Sequence, residues 1–198
     1  FTGWQDTIFN GDPMTCNMKK LMLPDFFQAS EVPIVHKFYR NYFKDCYVCG
    51  DVDYIFGPNT AFFDHCEIHS IARVSEGKAY ITAASTPAGQ EFGLVFSHCR
   101  ITGEEPDSVY LGRPWRDCAK TAFICCELGD HICPEGWQNW GKVRAEVLSD
   151  YIEYGNFGPG ADCSGRSPLS RCLVNPEVET YFSKENVLVG EDGWIPAE

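Results

Sequence analysis

The sequence is short of positive charge and has no long apolar run. Only 16 Lys and Arg stand against 28 Asp and Glu, giving a net charge of −12 and a pI near 4.8. That balance excludes nucleic acid as a natural partner: a polyanion is repelled, whereas a neutral or esterified polymer is not. No hydrophobic stretch approaches the roughly 20 residues of a membrane-spanning helix, so no membrane partner is expected. The first residues do not form a signal peptide. The chain starts at Phe1, not Met, so a processed or truncated product is expected.

Cysteine, by contrast, is plentiful. Eleven in 198 residues suggest an oxidising compartment, hence a secreted protein, and the odd number leaves at least one thiol. Hydrophobic residues make up 44%, which excludes disorder by composition, and the length suits one domain with a substantial core.

One stretch organises the rest. Gly50–Gly57, GDVDYIFG, sets Asp53 among Val52, Tyr54, Ile55 and Phe56. β-Branched and aromatic residues bounded by glycines predict a short strand. A carboxylate in such a run is costly to bury unless something pairs with it. A candidate partner is Arg113 in Tyr110-Leu111-Gly112-Arg113-Pro114-Trp115. There Pro removes a backbone donor and fixes the chain, so one guanidinium and one indole are rigidly presented. A solvated Arg and a core Trp are the plain alternatives.

A repeat recurs around these motifs. Phe43-Lys44-Asp45-Cys46-Tyr47-Val48, Phe63-Asp64-His65-Cys66-Glu67-Ile68, Phe96-Ser97-His98-Cys99-Arg100-Ile101 and Phe123-Ile124-Cys125-Cys126-Glu127-Leu128 all read Phe-x-x-Cys-x-aliphatic. A constant strand core with uneven spacing predicts a right-handed parallel β-helix: one coil per repeat, equivalent residues stacked, insertions in loops. Cys and the aliphatic residue two later then point the same way, as an inward ladder. At one coil spacing a Cys46–Cys66 disulfide is geometrically reasonable, while Cys99 and Cys126 are expected as buried thiols.

Zinc competes for some of these residues. Cys46-x-x-Cys49 followed by His65-x-x-x-His69 has finger-like spacing. However, the histidine segment alternates like a strand, and the repeat accounts for Cys46 and Cys66 together.

The remaining segments fill in the outline. Gln5-Asp6 lies among Trp4, Ile8 and Phe9, as a polar turn or a buried amide–acid pair. Residues 10–36 hold Asn10-Gly11-Asp12-Pro13, a strong turn signal, and Met14, Met18 and Met22 at helical spacing; they predict a long loop with a short helical turn. Trp137 and Trp140 share a polar loop, each with even odds of facing a ligand. Asn175-Pro176 predicts a short helix through Tyr181-Phe182, positioned to cover the open end of the β-helix, and Val187–Val189 predicts a closing strand.

Together these motifs resemble the pectin methylesterase (pectinesterase) family. The matching residues are Gln5–Phe9, Gly50–Gly57, Leu111–Trp115, Pro134–Trp137, Glu153-Tyr154 through Gly158–Ala161, and Ser164–Arg166. The resemblance implies a right-handed parallel β-helix that hydrolyses methyl esters of homogalacturonan, the pectin backbone, with no metal or organic cofactor. It makes Asp53 the nucleophile, Asp6 the general acid/base, Gln5 an oxyanion donor and Arg113 the partner of Asp53. Trp115, Trp137 and Phe56 match sugar-contacting positions, and Cys46–Cys66 matches a disulfide of plant relatives. The family's domain has further coils before Gln5-Asp6, so residues 1–198 are expected to be its C-terminal portion, completed by a companion N-terminal chain or lacking the rest. Residues 10–36 are expected as an inserted loop beside the cleft. Two other readings stay open: a non-catalytic carbohydrate-binding β-helix, and a polysaccharide-cleaving enzyme, since paired carboxylates also serve glycosidases.

Overall fold

A computed structural model of the chain describes residues 40–73, 77–190, 192–194 and 196, together with the backbone of the strands Thr7–Asn10 and Leu21–Met22. Gln5, Asp6, Met14 and Met18 lie outside the described residues, as does most of the 10–36 segment. Leu21–Met22, within that segment, pairs in parallel with Ile55–Phe56. The segment therefore contributes a strand to the body of the fold.

The chain winds as a parallel β-helix. Each full coil visits three sheets in turn. Arg40–Lys44, Tyr47–Gly50 and Val52–Gly57 make one coil; Thr60–Asp64, Glu67–Ser70 and Ala79–Ala84 make the next; Leu94–Ser97, Arg100–Gly103 and Val109–Gly112 follow. The longest sheet has seven strands, running from Thr7–Asn10 to Ser170–Leu173, and the other two have four each. Every pairing among these strands is parallel.

The Phe-x-x-Cys repeat marks a corner of the coil, not one strand. Phe43, Phe63, Phe96 and Phe123 stand in register on the long sheet, with ring centroids 4.5, 4.6 and 4.5 Å apart. Two residues later the backbone turns through the left-handed region, at Asp45, His65, His98 and Cys125 with φ of 52, 50, 53 and 53°. The aliphatic members Val48, Ile68, Ile101 and Leu128 then stack on the second sheet. A single residue at positive φ turns the chain sharply, and Asp and His tolerate that region better than most. Phenylalanine, cysteine and aliphatic columns all point inward into one core.

The expected Cys46–Cys66 bridge is not formed: both are thiols in the structure. The backbone N–H of Cys46 lies 3.4 Å from the Cys66 sulfur. Stacked residues of adjacent coils extend side by side at about 4.8 Å, whereas a disulfide brings the two Cβ atoms to about 3.5–4.5 Å. Cys99 and Cys126 continue the same buried thiol column. Among the described residues, a disulfide instead joins Cys163 to Cys172, which lies in the last strand.

The long sheet is covered on its outer face as well. Tyr42, Phe62, Val95, Ala122 and Ile152 pack there against Val178, Val187 and Leu188. The helix Glu177–Tyr181 is where the Asn175-Pro176 signal placed it, but it lies on this face and does not close an end. The strand expected at Val187–Val189 is a helix, Lys184–Leu188. Ser183 caps it by accepting a hydrogen bond from the Asn186 backbone N–H, and burial of Val187 and Leu188 on the sheet outweighs β propensity. Arg40 donates to the Leu188 carbonyl at 2.8 Å and fastens this end to an early coil.

One buried group makes the fold sensitive to acid. His131 is 1% exposed and neither ring nitrogen has a hydrogen-bond partner. Its ring fills the space over Gly103, where a Cβ would come within 2.4 Å of it. Burial lowers its pKa to about 4, with His69 acting in the same direction and Asp130 opposing. The folded pKa thus lies below the unfolded value of about 6.5. Between those values the unfolded chain binds more protons, so the stabilisation is complete above pH 6.5 and declines as pH falls towards 4. Thermal melting is expected to drop across that window, and His131→Phe should flatten the drop. An unchanged pH profile in the variant would assign acid sensitivity to other groups.

Candidate active site

Asp53 sits in a β-bulge. In the pairing of Val52–Gly57 with Ala79–Ala84, Val52 faces Tyr80 and Ile55 faces Thr82. Asp53 and Tyr54 therefore oppose Ile81 alone. The extra residue bends the strand and redirects its side chain. Asp53 itself has φ 49°, an uncommon conformation outside glycine that recurs where a site holds the backbone in place. The imperfect alternation of GDVDYIFG has this cause: Tyr54 and Ile55 turn into the core while Asp53 turns out.

Arg113 meets Asp53 from two coils on, across the intervening strand Ala79–Ala84. Its Nε donates to Asp53 Oδ1 at 2.9 Å and its Nη2 to Oδ2 at 2.6 Å. The side chains are 16% and 17% exposed, so the bidentate pair is largely shielded yet open on one side. Such a fork fixes carboxylate orientation as well as charge. The guanidinium lies between two aromatic faces, 3.8 Å from the Tyr80 ring centre and 3.7 Å from that of Trp140. Stacking of this kind holds a planar cation by its π faces and leaves its edges for hydrogen bonds.

The Leu111–Trp115 segment is held by backbone pairing and by one lysine. Arg113 N–H donates to Thr82 O and Trp115 N–H to Ala84 O. Gly112 is required here, because a Cβ would meet Thr82 Oγ1 at 2.0 Å. Lys142 Nζ donates to the carbonyls of Pro114 and Trp115, 2.7 Å each. Burial and then the nearby Arg116 push the Lys142 ammonium below its ordinary pKa, against the pull of Asp117. Trp115 is half-buried and meets Phe56 edge-on at 5.5 Å. Beside it opens a cavity of about 580 Å³ lined in part by Trp115, Arg116, Lys142 and Arg144. The net charge of the chain gives no hint of this local cluster of cations.

Asp53, Arg113, Trp115 and Phe56 thus converge, while Gln5 and Asp6 lie outside the described residues, immediately before Thr7–Asn10. Trp137 does not join the groove. It is 2% exposed, stacks on Tyr151 at 4.2 Å and donates its indole N–H to Glu153 at 2.9 Å. A parallel bridge to Gly112 makes it part of the coil wall, so its ring faces inward. Trp140, three residues on, turns at φ 57° and is 37% exposed. The resemblance singles out Trp137 as a sugar contact, but the fold buries its ring and leaves that of Trp140 exposed beside Arg113. Tyr80 and Lys142 carried no sequence signal of a site. Cys46, Cys49, His65 and His69 do not gather as a zinc finger would: Cys46 and Cys49 are buried, His65 is exposed at a corner, and the His69 ring bonds Thr102.

The fold and site define a class: a parallel β-helix with an arginine-clamped aspartate on an aromatic-lined, exposed sheet face. The family model described as Pectinesterase matches residues 28–191, and the chain belongs to that family. It is 40% identical to Pectinesterase 31 of Arabidopsis thaliana over 179 residues, covering 89% of this chain and 47% of the relative. It is 36% identical to Pectinesterase 2 of Olea europaea over 145 residues, covering 73% and 38%. Among solved structures, pectin methylesterase from carrot superposes with a TM-score of 0.70 at 30% identity, over 78% of this chain and 52% of that one. A pectin methylesterase in complex with a hexasaccharide gives 0.65 at 28% identity, over 79% and 53%. The chain thus spans about half the length of these relatives and corresponds to the C-terminal part of the catalytic domain.

Proposed function

We propose that the domain containing this chain removes methyl esters from homogalacturonan, giving pectate and methanol. The observation that carries the reading is the bidentate Asp53–Arg113 pair, open on one side and flanked by aromatic rings. Membership of the family supports it, as does the hexasaccharide complex of a similar protein. The cations beside Trp115 suit a polymer in which carboxylates and methyl esters are mixed.

In this reading an Asp53 oxygen attacks the ester carbonyl while Arg113 holds the carboxylate in a fixed orientation. The carbonyl electrons move onto the oxygen, which the Gln5 amide stabilises; loss of such a donor costs about a hundred- to a thousandfold in rate. The carbon–oxygen bond to the methyl group's oxygen breaks, and methanol leaves with the proton of Asp6. Asp6 then takes a proton from water, and the hydroxide cleaves the aspartyl acyl-enzyme. Galacturonate and free Asp53 result. The Cys163–Cys172 disulfide supports secretion, since such bonds persist in oxidising compartments. Among the described residues no helix is long and apolar enough to cross a membrane.

The test is product analysis on highly methylated pectin with the full-length protein. Methanol release without new reducing ends is expected. Reducing ends without methanol would replace the esterase by a chain-cleaving enzyme, and binding without either product would make the groove a carbohydrate-binding surface.

A further inference from the structure

The left-handed corner residues form an outward column where the first sheet turns into the second, away from the third sheet, which carries Asp53. Asp45, His65, His98 and Cys125 occupy equivalent positions of successive coils, each with its N–H bonded to the carbonyl one coil on. His65 and His98 stack with centroids 5.2 Å apart and planes 8° from parallel. Glu179, on the helix Glu177–Tyr181, reaches this column: its Oε1 lies 3.7 Å from His98 Nε2. One imidazole nitrogen, one sulfur and one carboxylate oxygen, from His98, Cys125 and Glu179, lie within 4.8 Å of one another.

We propose that His98, Cys125 and Glu179 bind a zinc ion that clips the C-terminal helix to the corner of the β-helix. The donors are the three types that zinc takes, at about 2.0–2.3 Å, and three protein ligands leave a fourth tetrahedral position for water. Tetrahedral donors around zinc stand about 3.3–3.8 Å apart, so side-chain rotation of roughly 1 Å closes the set. A second feature points the same way. Ser97 Oγ lies 2.9 Å from His98 Nδ1. Metal-bound histidines are usually oriented by such a bond on the other ring nitrogen, which leaves Nε2 as the ligand. The three residues come from separate coils and a helix, so only the folded chain assembles them. On binding, the Cys125 thiol proton passes to solvent and the sulfur–zinc bond forms; imidazole and carboxylate contribute lone pairs. No electron transfer is involved, and the site is independent of ester hydrolysis.

The test uses the purified full chain, reduced only mildly so that Cys163–Cys172 survives. Equilibrated with zinc and desalted, it should retain an equimolar amount of metal, and its melting temperature should rise. Cobalt in place of zinc should give the charge-transfer absorption of a thiolate–cobalt bond. Cys125→Ser should abolish that band, His98→Gln and Glu179→Gln should each lose most of the retained zinc, and Ser97→Ala should weaken binding by about tenfold or more. These are surface or corner positions, so circular dichroism and an unchanged metal-free melt confirm folding. Absence of retained zinc and of the cobalt band in the folded wild type would overturn the proposal. Equal retention by Cys125→Ser would do so too, by placing the metal elsewhere.

Discussion

Asp53→Asn is expected to lower methanol release by about four to six orders of magnitude, the usual cost of removing a nucleophile that acts as part of a unit. Asparagine is the informative replacement for a conformational reason. Position 53 has φ 49°, which Asn tolerates as well as Asp; alanine would add backbone strain of about 1–2 kcal/mol and blur the result. The amide also keeps one oxygen to accept from Arg113. Its other end presents N–H groups to the guanidinium, so one of the two bonds at 2.9 and 2.6 Å is lost. Arg113 then stays between Tyr80 and Trp140, partly solvated, and is not stranded in the core. The variant should therefore fold and melt within a few degrees of the wild type while turning over almost nothing. Methanol assayed beside a thermal melt checks both halves. Wild-type turnover in a folded Asp53→Asn protein would remove Asp53 from the chemistry.

Arg113 is the other half of the same unit. Lysine there keeps the charge but not the fork, and an ammonium cannot stack between two rings as a guanidinium does. The pair thus explains why the motif carries arginine, and why its neighbours are a glycine with no room for a Cβ and a proline that fixes the chain.

Much of this architecture was legible because a β-helix stacks like on like. Residues in register face the same environment, so Phe43, Phe63, Phe96 and Phe123 recur as a visible column. What lay between columns was harder to read. His65, His98 and Cys125 turn corners that Gly or Asn would announce, so each corner reads in the sequence as continuous strand. The bulge at Asp53 showed only as broken alternation. Trp137 and Trp140 differ in a backbone bridge that no composition reveals. Val187 and Leu188 have strand-like side chains in a helix, because a capping serine and a waiting apolar face decide their conformation. The Asp53–Arg113 pairing was legible for the opposite reason: a lone acid in an apolar run demands a cation, and the rigid Gly-Arg-Pro-Trp segment offered one.

Where the phenylalanine column stops, a second large effect is expected. The residue in register after Phe123 is Glu153, 2% exposed. Arg166, with its side chain 4% exposed, answers it through two bonds of 2.9 and 3.0 Å. Trp137 donates a third bond to Glu153. The same guanidinium also donates to the carbonyls of Gly160 at 2.6 Å and Pro134 at 3.0 Å, so it ties three loop segments to the last coils. Arg166→Met leaves a carboxylate buried without its cation and two carbonyls without their donor. Breaking such a pair costs about 3–5 kcal/mol; at roughly 2–4 °C per kcal/mol for a domain of this size, melting should fall by about 6–20 °C. The remedy is not to restore charge. Glu153→Leu combined with Arg166→Met removes both ions, and replacing a buried pair by apolar groups is often close to neutral. The carbonyls of Gly160 and Pro134 still lose their donor, so recovery should be incomplete. The double variant should nonetheless melt above Arg166→Met alone, and the coupling measured by the cycle should exceed that of an exposed pair such as Arg100–Glu67, where solvent already screens the charges. If Arg166→Met melted with the wild type, Glu153 would have to be satisfied by Trp137 alone, and the interruption of the phenylalanine column would need another cause.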